Sequence, residues 1–157
     1  MALPPELYVF ALAMAPVVEL RGAIPLGVAL GLSVWEAFFW ATLGNLLVVP
    51  FLLWLFPWLS QLAERVPVFG YWWRRFEERV RLKGEDQVQR YGALGLYLFV
   101  AVPLPGTGAW SGSVLATVLG IKKRYALPAI SAGVITAGVL VALASAGVLK
   151  GLEFLVR

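Results

Sequence analysis

The stretch Phe99-Val-Ala-Val-Pro-Leu-Pro-Gly-Thr-Gly-Ala-Trp-Ser-Gly-Ser113 decides how the chain folds, because two prolines and three glycines interrupt a long apolar sequence there. A proline inside a helix removes one hydrogen bond and clashes with the preceding turn. Glycine adopts backbone conformations that other residues avoid. We therefore expect a helix over residues 91–102, a break beginning at Pro103, and a second helix over residues 109–121.

A second interrupted stretch, Pro16-Val-Val-Glu-Leu-Arg-Gly-Ala-Ile-Pro-Leu-Gly27, lies near the N-terminus. Gly22-Ala23 aligns with Gly108-Ala109, and a polar spacer followed by a long apolar run comes after both stretches. The shared order predicts an internal repeat within a single membrane domain. Its predicted parts are repeat 1 over residues 5–57, a linker over residues 58–90 and repeat 2 over residues 91–149.

Composition indicates an integral membrane protein. The 157 residues are 61% hydrophobic, and the mean hydropathy is +0.82. The chain has no cysteine and no histidine, which removes thiolate chemistry, the commonest metal ligand and the usual acid–base catalyst. We therefore expect no enzyme activity, no metal and no cofactor. The net charge of +4 is better explained by membrane orientation than by nucleic-acid binding.

Helix lengths separate two kinds of apolar segment. Residues 37–55 and 125–149 are long enough to span a bilayer, and we expect the first of these helices to end at Pro57, with Ser33 capping its start. Residues 5–18 would form a helix of about 21 Å, which is shorter than the hydrocarbon core of about 30 Å. Each interrupted stretch is therefore either one kinked span or a re-entrant hairpin.

Charge favours the re-entrant hairpin. The linker over residues 58–90 resembles a basic amphipathic helix that stops near Gly84, lying in the membrane interface or packed on the protein surface. Two re-entrant hairpins would place this linker and Lys122–Arg124 on one side, with ten of the 13 lysines and arginines. The positive-inside rule makes that side cytoplasmic at the cell (inner) membrane. The two repeats would then be inverted, which is typical of transporters.

Two motifs carry a family resemblance. Glu19-Leu-Arg-Gly-Ala-Ile-Pro-Leu-Gly27 and Pro103-Leu-Pro-Gly-Thr-Gly-Ala-Trp-Ser-Gly112 resemble the paired motifs of the putative small multidrug export family. More distantly, the layout resembles the DedA (VTT) membrane proteins, which are built from two re-entrant hairpins and associated with moving polyprenyl-phosphate or other lipids. The second motif departs from the DedA pattern because it contains no charged residue.

The candidate site combines ionisable side chains with the broken backbone. Glu19 and Arg21 lie in an apolar stretch at membrane depth, where charged residues mark functional sites. Glu19 could bind a proton or cation and Arg21 a phosphate, or the two could form a structural tie. The glycines around Thr107 suit either an anion at a half-helix N-terminus or close helix packing. Asn45 suits a substrate path or an interhelical hydrogen bond. The predicted substrate- or ion-binding residues are Glu19, Arg21, Pro25, Asn45, Pro103, Pro105, Gly106, Thr107 and Gly108.

These features predict a small transporter that moves an anionic lipid or another amphipathic substrate through a site formed by the two hairpins. Two anion-binding features, the Arg21 guanidinium and the half-helix dipole, outweigh the one cation-binding feature, Glu19. The alternatives are an exporter of cationic amphiphiles and a non-transporting membrane assembly or structural protein. Expected partners are membrane lipids, a small amphipathic substrate, a coupling proton or sodium ion, and a second copy in a homodimer, with no nucleic acid.

Overall fold

The computed structural model describes the backbone of residues 3–156 and the side chains of residues 3–151. Within this part of the chain the protein is all-helical, with seven helices and no strand. The helices are α1 Pro5–Ala13, α2 Glu19–Ala29, α3 Val34–Arg65, α4 Pro67–Tyr91, α5 Ala93–Ala101, α6 Ala109–Val118 and α7 Lys123–Val156.

The break predicted at Pro103 is confirmed. α5 ends at Ala101, α6 begins at Ala109, and the residues between them form turns and irregular backbone. Gly106 has a φ of 78°, in the left-handed region that glycine enters without steric cost. The local chemistry of the prolines and glycines therefore decides where this helix stops.

The first interruption is shorter than predicted. α1 ends at Ala13 and a turn covers residues 14–18, but α2 then continues through Pro25, so the expectation of broken backbone up to Gly27 was wrong. One proline removes one hydrogen bond, and packing of the buried residues of α2 offsets that loss. A methyl group on Gly27 would lie 2.8 Å from Cγ2 of Val9, so α1 and α2 pack closely.

The start of α3 carries the predicted cap. The backbone N–H of Glu36 donates to the Ser33 hydroxyl oxygen at 3.2 Å, and the Ser33 N–H donates to a Glu36 carboxylate oxygen at 2.9 Å. This reciprocal pair is a capping box. The predicted end at Pro57 was wrong, because α3 runs through Pro50 and Pro57 to Arg65. In an apolar environment the remaining backbone groups have no partner outside the helix, so the helix persists past a single lost bond.

The predicted linker divides into two helices. Its first residues complete α3, and α4 follows from Pro67. The expected stop at Gly84 was also wrong: Gly84 lies inside α4 and is buried, and a methyl group there would lie 2.8 Å from the Phe99 ring and closer still to Leu115. Glycine here permits close packing of α4 on α5 and α6.

A small polar network joins the end of α3 to α4. The Trp73 indole N–H donates to a Glu77 carboxylate oxygen at 2.6 Å, and the Ser60 hydroxyl donates to the same oxygen at 2.6 Å.

Further along α4, Arg81 and Glu85 form an exposed ion pair at 2.8 Å. The hydrogen bond from Arg81 lowers the pKa of the Glu85 carboxyl. Exposed pairs of this kind contribute little to stability.

The chain divides into two compact units. The first unit comprises Met1–Leu47 and Val134–Arg157, and the second comprises Val48–Gly133. Among the described residues, two helical segments, Val34–Arg65 and Lys123–Gly151, are long and apolar enough to cross a membrane. The order short helix, short helix, long helix occurs twice along the chain. Re-entrant insertion and opposite orientation of the two copies remain predictions.

Candidate functional site

The break between α5 and α6 is a defined turn that the Thr107 side chain stabilises. The Thr107 hydroxyl donates to the carbonyl oxygens of Val102 and Leu104, each at 2.9 Å. Its backbone N–H also donates to the Leu104 carbonyl oxygen at 3.2 Å. Val102 and Leu104 nonetheless expose 41% and 57% of their surface, so apolar side chains border the turn on its open side.

A positive charge lies at this break, and sequence reasoning missed it. The Lys83 ammonium group on α4 donates to the Pro105 carbonyl oxygen at 3.3 Å. It also lies against Gly106, where a methyl group would collide with it. Although the break itself contains no charged residue, the packing of α4 on α5 and α6 supplies one.

The spacing of apolar and small residues along α4 is a sequence signal that could have indicated Lys83. Val80, Gly84 and Val88 are buried and follow one another at intervals of four residues, which defines the face of α4 that packs on the protein. Lys83 borders this face. The pattern identifies an α4 residue next to a packing surface, but only the tertiary contact shows that the surface is the break.

The electrostatics of the break favour an anionic group. Gly108 holds the N-cap position of α6 and Ala109 is its first residue, so the positive end of the α6 dipole lies there. The ammonium of Lys83 adds a full positive charge beside Gly106. An ammonium and a helix N-terminus together attract phosphate or carboxylate groups.

Glu19 occupies an unusual backbone conformation. It begins α2, exposes 6% of its surface, and is the one non-glycine residue with a positive φ, 48°, in the described chain. For a residue with a Cβ, this conformation costs about 1–2 kcal/mol. Strained backbone persists where the surroundings enforce it, and it is concentrated at functional sites.

Arg21 lies in the same first turn of α2 and is half-buried. The Glu19 carboxylate acts electrostatically on its guanidinium group. The structure therefore places these two predicted residues within electrostatic range of each other in the first unit. Lys83, Pro105, Gly106 and Thr107 form a group in the second unit, and the predicted meeting of the two groups remains a prediction.

The other predicted residues lie in three different environments. Pro25 is exposed inside α2, and Pro103 is exposed at the start of the break. Asn45 exposes 1% of its surface, and its side-chain oxygen has no hydrogen-bond partner in the described chain. The interhelical hydrogen bond considered for the Asn45 side chain remains a prediction. The hydroxyl oxygen of Thr42, which sequence reasoning did not single out, is buried and unpartnered in the same way.

Comparison with known protein families identifies the family to which the chain belongs. The family described as putative small multi-drug export protein matches residues 19–140. The chain belongs to this family. The match begins at Glu19 and ends within α7, so it covers both groups of candidate residues. Comparisons with curated proteins and with solved structures gave no significant match.

Family membership settles the coarse identity of the protein. The two long apolar helices and the export family together make it a helical membrane protein of an exporter family. The family description is that of an exporter rather than of an enzyme. The predicted membership of the export family is confirmed. The two motifs as its signature and the more distant DedA resemblance remain predictions.

Proposed function

We propose that this small multi-drug export family protein moves amphipathic molecules that carry an anionic group, such as an anionic lipid. The observation that carries the proposal is the contact of the Lys83 ammonium with the break between α5 and α6. The break presents positive electrostatic potential from Lys83 and from the N-terminus of α6. A phosphate or carboxylate is the matching charge.

The apolar border of the break supports an amphipathic substrate. Val102 and Leu104 are exposed on the same turn whose Pro105 carbonyl binds Lys83. A substrate with an anionic headgroup would contact Lys83 while its hydrocarbon part lay along these side chains. Arg21 supplies a second cationic group in the first unit, and its planar guanidinium suits phosphate.

The proposal includes a membrane arrangement. The protein lies in the inner membrane as a homodimer, with residues 58–90 and Lys122–Arg124 facing the cytoplasm. Each interrupted stretch enters as a re-entrant hairpin, and the two hairpins are inverted. The charge distribution along the chain supports this arrangement, because ten of the 13 lysines and arginines then share the cytoplasmic side.

The test is lipid movement in reconstituted liposomes. We expect the wild type to move a fluorescent anionic lipid faster than a zwitterionic lipid with the same tails. Lys83→Gln removes the charge while keeping most of the side chain, and should slow movement of the anionic lipid about tenfold, as expected for a contact with a charged group. Movement of the zwitterionic lipid should change little.

The matched control is Lys122→Gln, which removes an exposed lysine outside the break. An equal loss of anionic lipid movement in both variants would overturn the proposed role of Lys83. No preference for the anionic lipid in the wild type would overturn the choice of substrate. Absence of movement for every probe would instead favour a non-transporting assembly or structural protein.

Export of cationic amphiphiles is the second candidate, and buried Glu19 is the observation that favours it. A carboxylate at membrane depth is the natural partner of a cationic drug. The same liposomes, loaded with a cationic dye, distinguish export of cationic amphiphiles from movement of anionic lipids. Dye movement that Glu19→Gln abolishes and Lys83→Gln leaves intact would support the cationic substrate.

A further inference from the structure

We propose that the outer face of α4 binds the headgroup layer of an anionic lipid membrane. This face consists of six exposed side chains in the second unit: Val68, Tyr71, Trp72, Arg75, Arg79 and Leu82. Binding of lipid to this face does not require transport, so the inference goes beyond the proposed function. Only its consequence for the supply of substrate rests on that function.

α4 has two opposite faces, and the described chain covers one of them. Val80, Gly84 and Val88 are buried, and Gly84 packs on the Phe99 ring. The residues of the outer face recur at helical spacing on the opposite side of α4. Packing on the protein therefore leaves a surface about four turns long without a protein partner.

Large apolar side chains are exposed on the outer face. Trp72 exposes 68% of its surface and Leu82 exposes 78%. Tryptophan and tyrosine are enriched where membranes meet water, because each ring is apolar and carries one polar group. Arginine suits the same depth, because its apolar stem lies along hydrocarbon while its charged end reaches the headgroups. The composition of this face therefore fits a membrane interface better than water.

Tyr71 holds Arg75 in place on the outer face. Nη1 of Arg75 donates to the Tyr71 hydroxyl oxygen at 2.8 Å, and the guanidinium carbon lies 5.9 Å from the centroid of the Tyr71 ring. The Trp72 ring contacts the Tyr71 ring edge to face, with centroids 5.8 Å apart. The hydrogen bond to Tyr71 uses one of the five N–H donors of the guanidinium, so the others can bind phosphate oxygens.

Charge indicates that the bound lipid is anionic. Residues 67–83 contain five lysines and arginines against two glutamates, which leaves a net charge of +3. Glu77 is turned inward, where it accepts hydrogen bonds from Ser60 and Trp73. Glu78 is then the one carboxylate of this segment that borders the outer face. Anionic headgroups attract a basic amphipathic surface of this kind.

The same charges disfavour a second copy of the chain on this face. A symmetric dimer brings the same surface patch of both subunits together, so Arg75 and Arg79 would approach their own equivalents. Anionic lipids offer phosphates to both arginines instead. The cytoplasmic leaflet, where the proposed arrangement places α4, is the anionic side of a membrane.

The outer face leads to the break between α5 and α6. Leu82 directly precedes Lys83, whose ammonium donates to the Pro105 carbonyl oxygen. Anionic lipids held along α4 would therefore be concentrated beside the break. That is where the proposed function requires its substrate.

The test is a fluorescence measurement on the full chain in liposomes of phosphatidylcholine with an increasing fraction of phosphatidylglycerol. Val68→Cys introduces a single cysteine, which carries a dye whose emission shifts to the blue when it leaves water. We expect phosphatidylglycerol to produce this shift. At the fraction that gives half of the full shift, adding Arg75→Gln should reduce the shift to about a sixth of its full value, because one basic residue near an anionic surface contributes about fivefold to binding.

Arg74→Gln is the matched control, because it removes the same charge from an exposed neighbour that points about 100° away around the helix. The shift in this variant should stay close to half. Equal losses in the two variants would overturn the assignment to the outer face, and so would the absence of any shift with phosphatidylglycerol. A blue shift without phosphatidylglycerol that grows with the protein-to-lipid ratio would overturn the inference in favour of a second copy on this face.

Failure of this inference is distinguishable from failure of the proposed function. Lys83 lies about 22 Å along α4 from Val68, so Lys83→Gln should leave the dye response unchanged. A response that Lys83→Gln abolishes would assign lipid binding to the break and overturn the inference. A normal dye response without movement of any anionic lipid would overturn the proposed function alone, and lipid movement without a dye response would overturn the inference alone.

Discussion

At the scale of single residues, Glu19 combines three properties that seldom occur together. It is ionisable, buried, and held at a positive φ. Burying a charge lowers stability, and so does holding a residue with a Cβ in the left-handed region. A residue that existed only to fill space would be apolar or glycine at this position. The combination therefore supports a role for the Glu19 carboxylate in the function of the protein.

The strain at Glu19 is measurable by comparing two variants that both lose the carboxylate. Glu19→Gly should be more stable than Glu19→Ala by about 1–2 kcal/mol, because alanine keeps a Cβ at positive φ and glycine does not. The measurement is the free energy of unfolding in detergent. Glu78, an exposed position inside α4, is the control. There Glu78→Gly should be less stable than Glu78→Ala by up to about 1 kcal/mol, because glycine disfavours helix. Equal stabilities at position 19 would show that the backbone is not strained there.

At the scale of elements, glycines decide how closely helices approach in each unit. Gly44 brings α3 against the backbone of α1, and Gly84 brings α4 against side chains of α5 and α6. The two contacts differ physically, because a backbone carbonyl cannot move aside as the end of a side chain can. The contact at Gly44 is accordingly the less tolerant of any added atom.

Gly44→Ala should therefore lower stability by about 1–3 kcal/mol, the usual cost of overpacking. Gly147→Ala in α7 is the control, because no atom beyond the adjoining residues of its own helix lies within 4 Å of the added methyl group. That variant should be neutral or more stable by up to about 1 kcal/mol, as alanine favours helix. Both are measured by unfolding in detergent, and a neutral Gly44→Ala would contradict the packing argument.

At the scale of the whole molecule, charge along the chain predicts which segments share a side of the membrane. The positively charged residues of α4 and the spacer Lys122–Arg124 should both face the cytoplasm if the two interrupted stretches are re-entrant. Four simple crossings would instead place those two segments on opposite sides. α3 and α7 remain the long helices able to cross in either arrangement.

Single cysteines distinguish these arrangements, because the natural chain contains none. Cysteines at Gln61, Lys123 and Lys150 occupy exposed positions and can be labelled in intact cells with an impermeant reagent. We expect Gln61→Cys and Lys123→Cys to be protected until the membrane is opened, and Lys150→Cys to react from outside. Labelling of the first two from opposite sides would contradict the re-entrant arrangement.

The sequence by itself determined the features that depend on neighbouring residues. The break after Ala101 follows from prolines and glycines within a few positions of one another, and the start of α3 follows from the spacing of Ser33 and Glu36. Membrane character follows from composition, and the sequence of residues 19–140 matches the export family. The break and the capped start of α3 need no knowledge of which distant segments meet, because each is decided within one or two helical turns.

Only the tertiary structure decided the features that depend on contacts between distant segments. Pro57 does not end α3 and Gly84 does not end α4, because apolar surroundings and packing outweigh a local helix-breaking tendency. The charge at the break belongs to Lys83, 22 residues before Pro105 in the chain. The unpartnered oxygens of Thr42 and Asn45 are visible only once their neighbours are in place. A hydrogen bond is made or missed by the arrangement of whole helices, and no local pattern of residues encodes that arrangement.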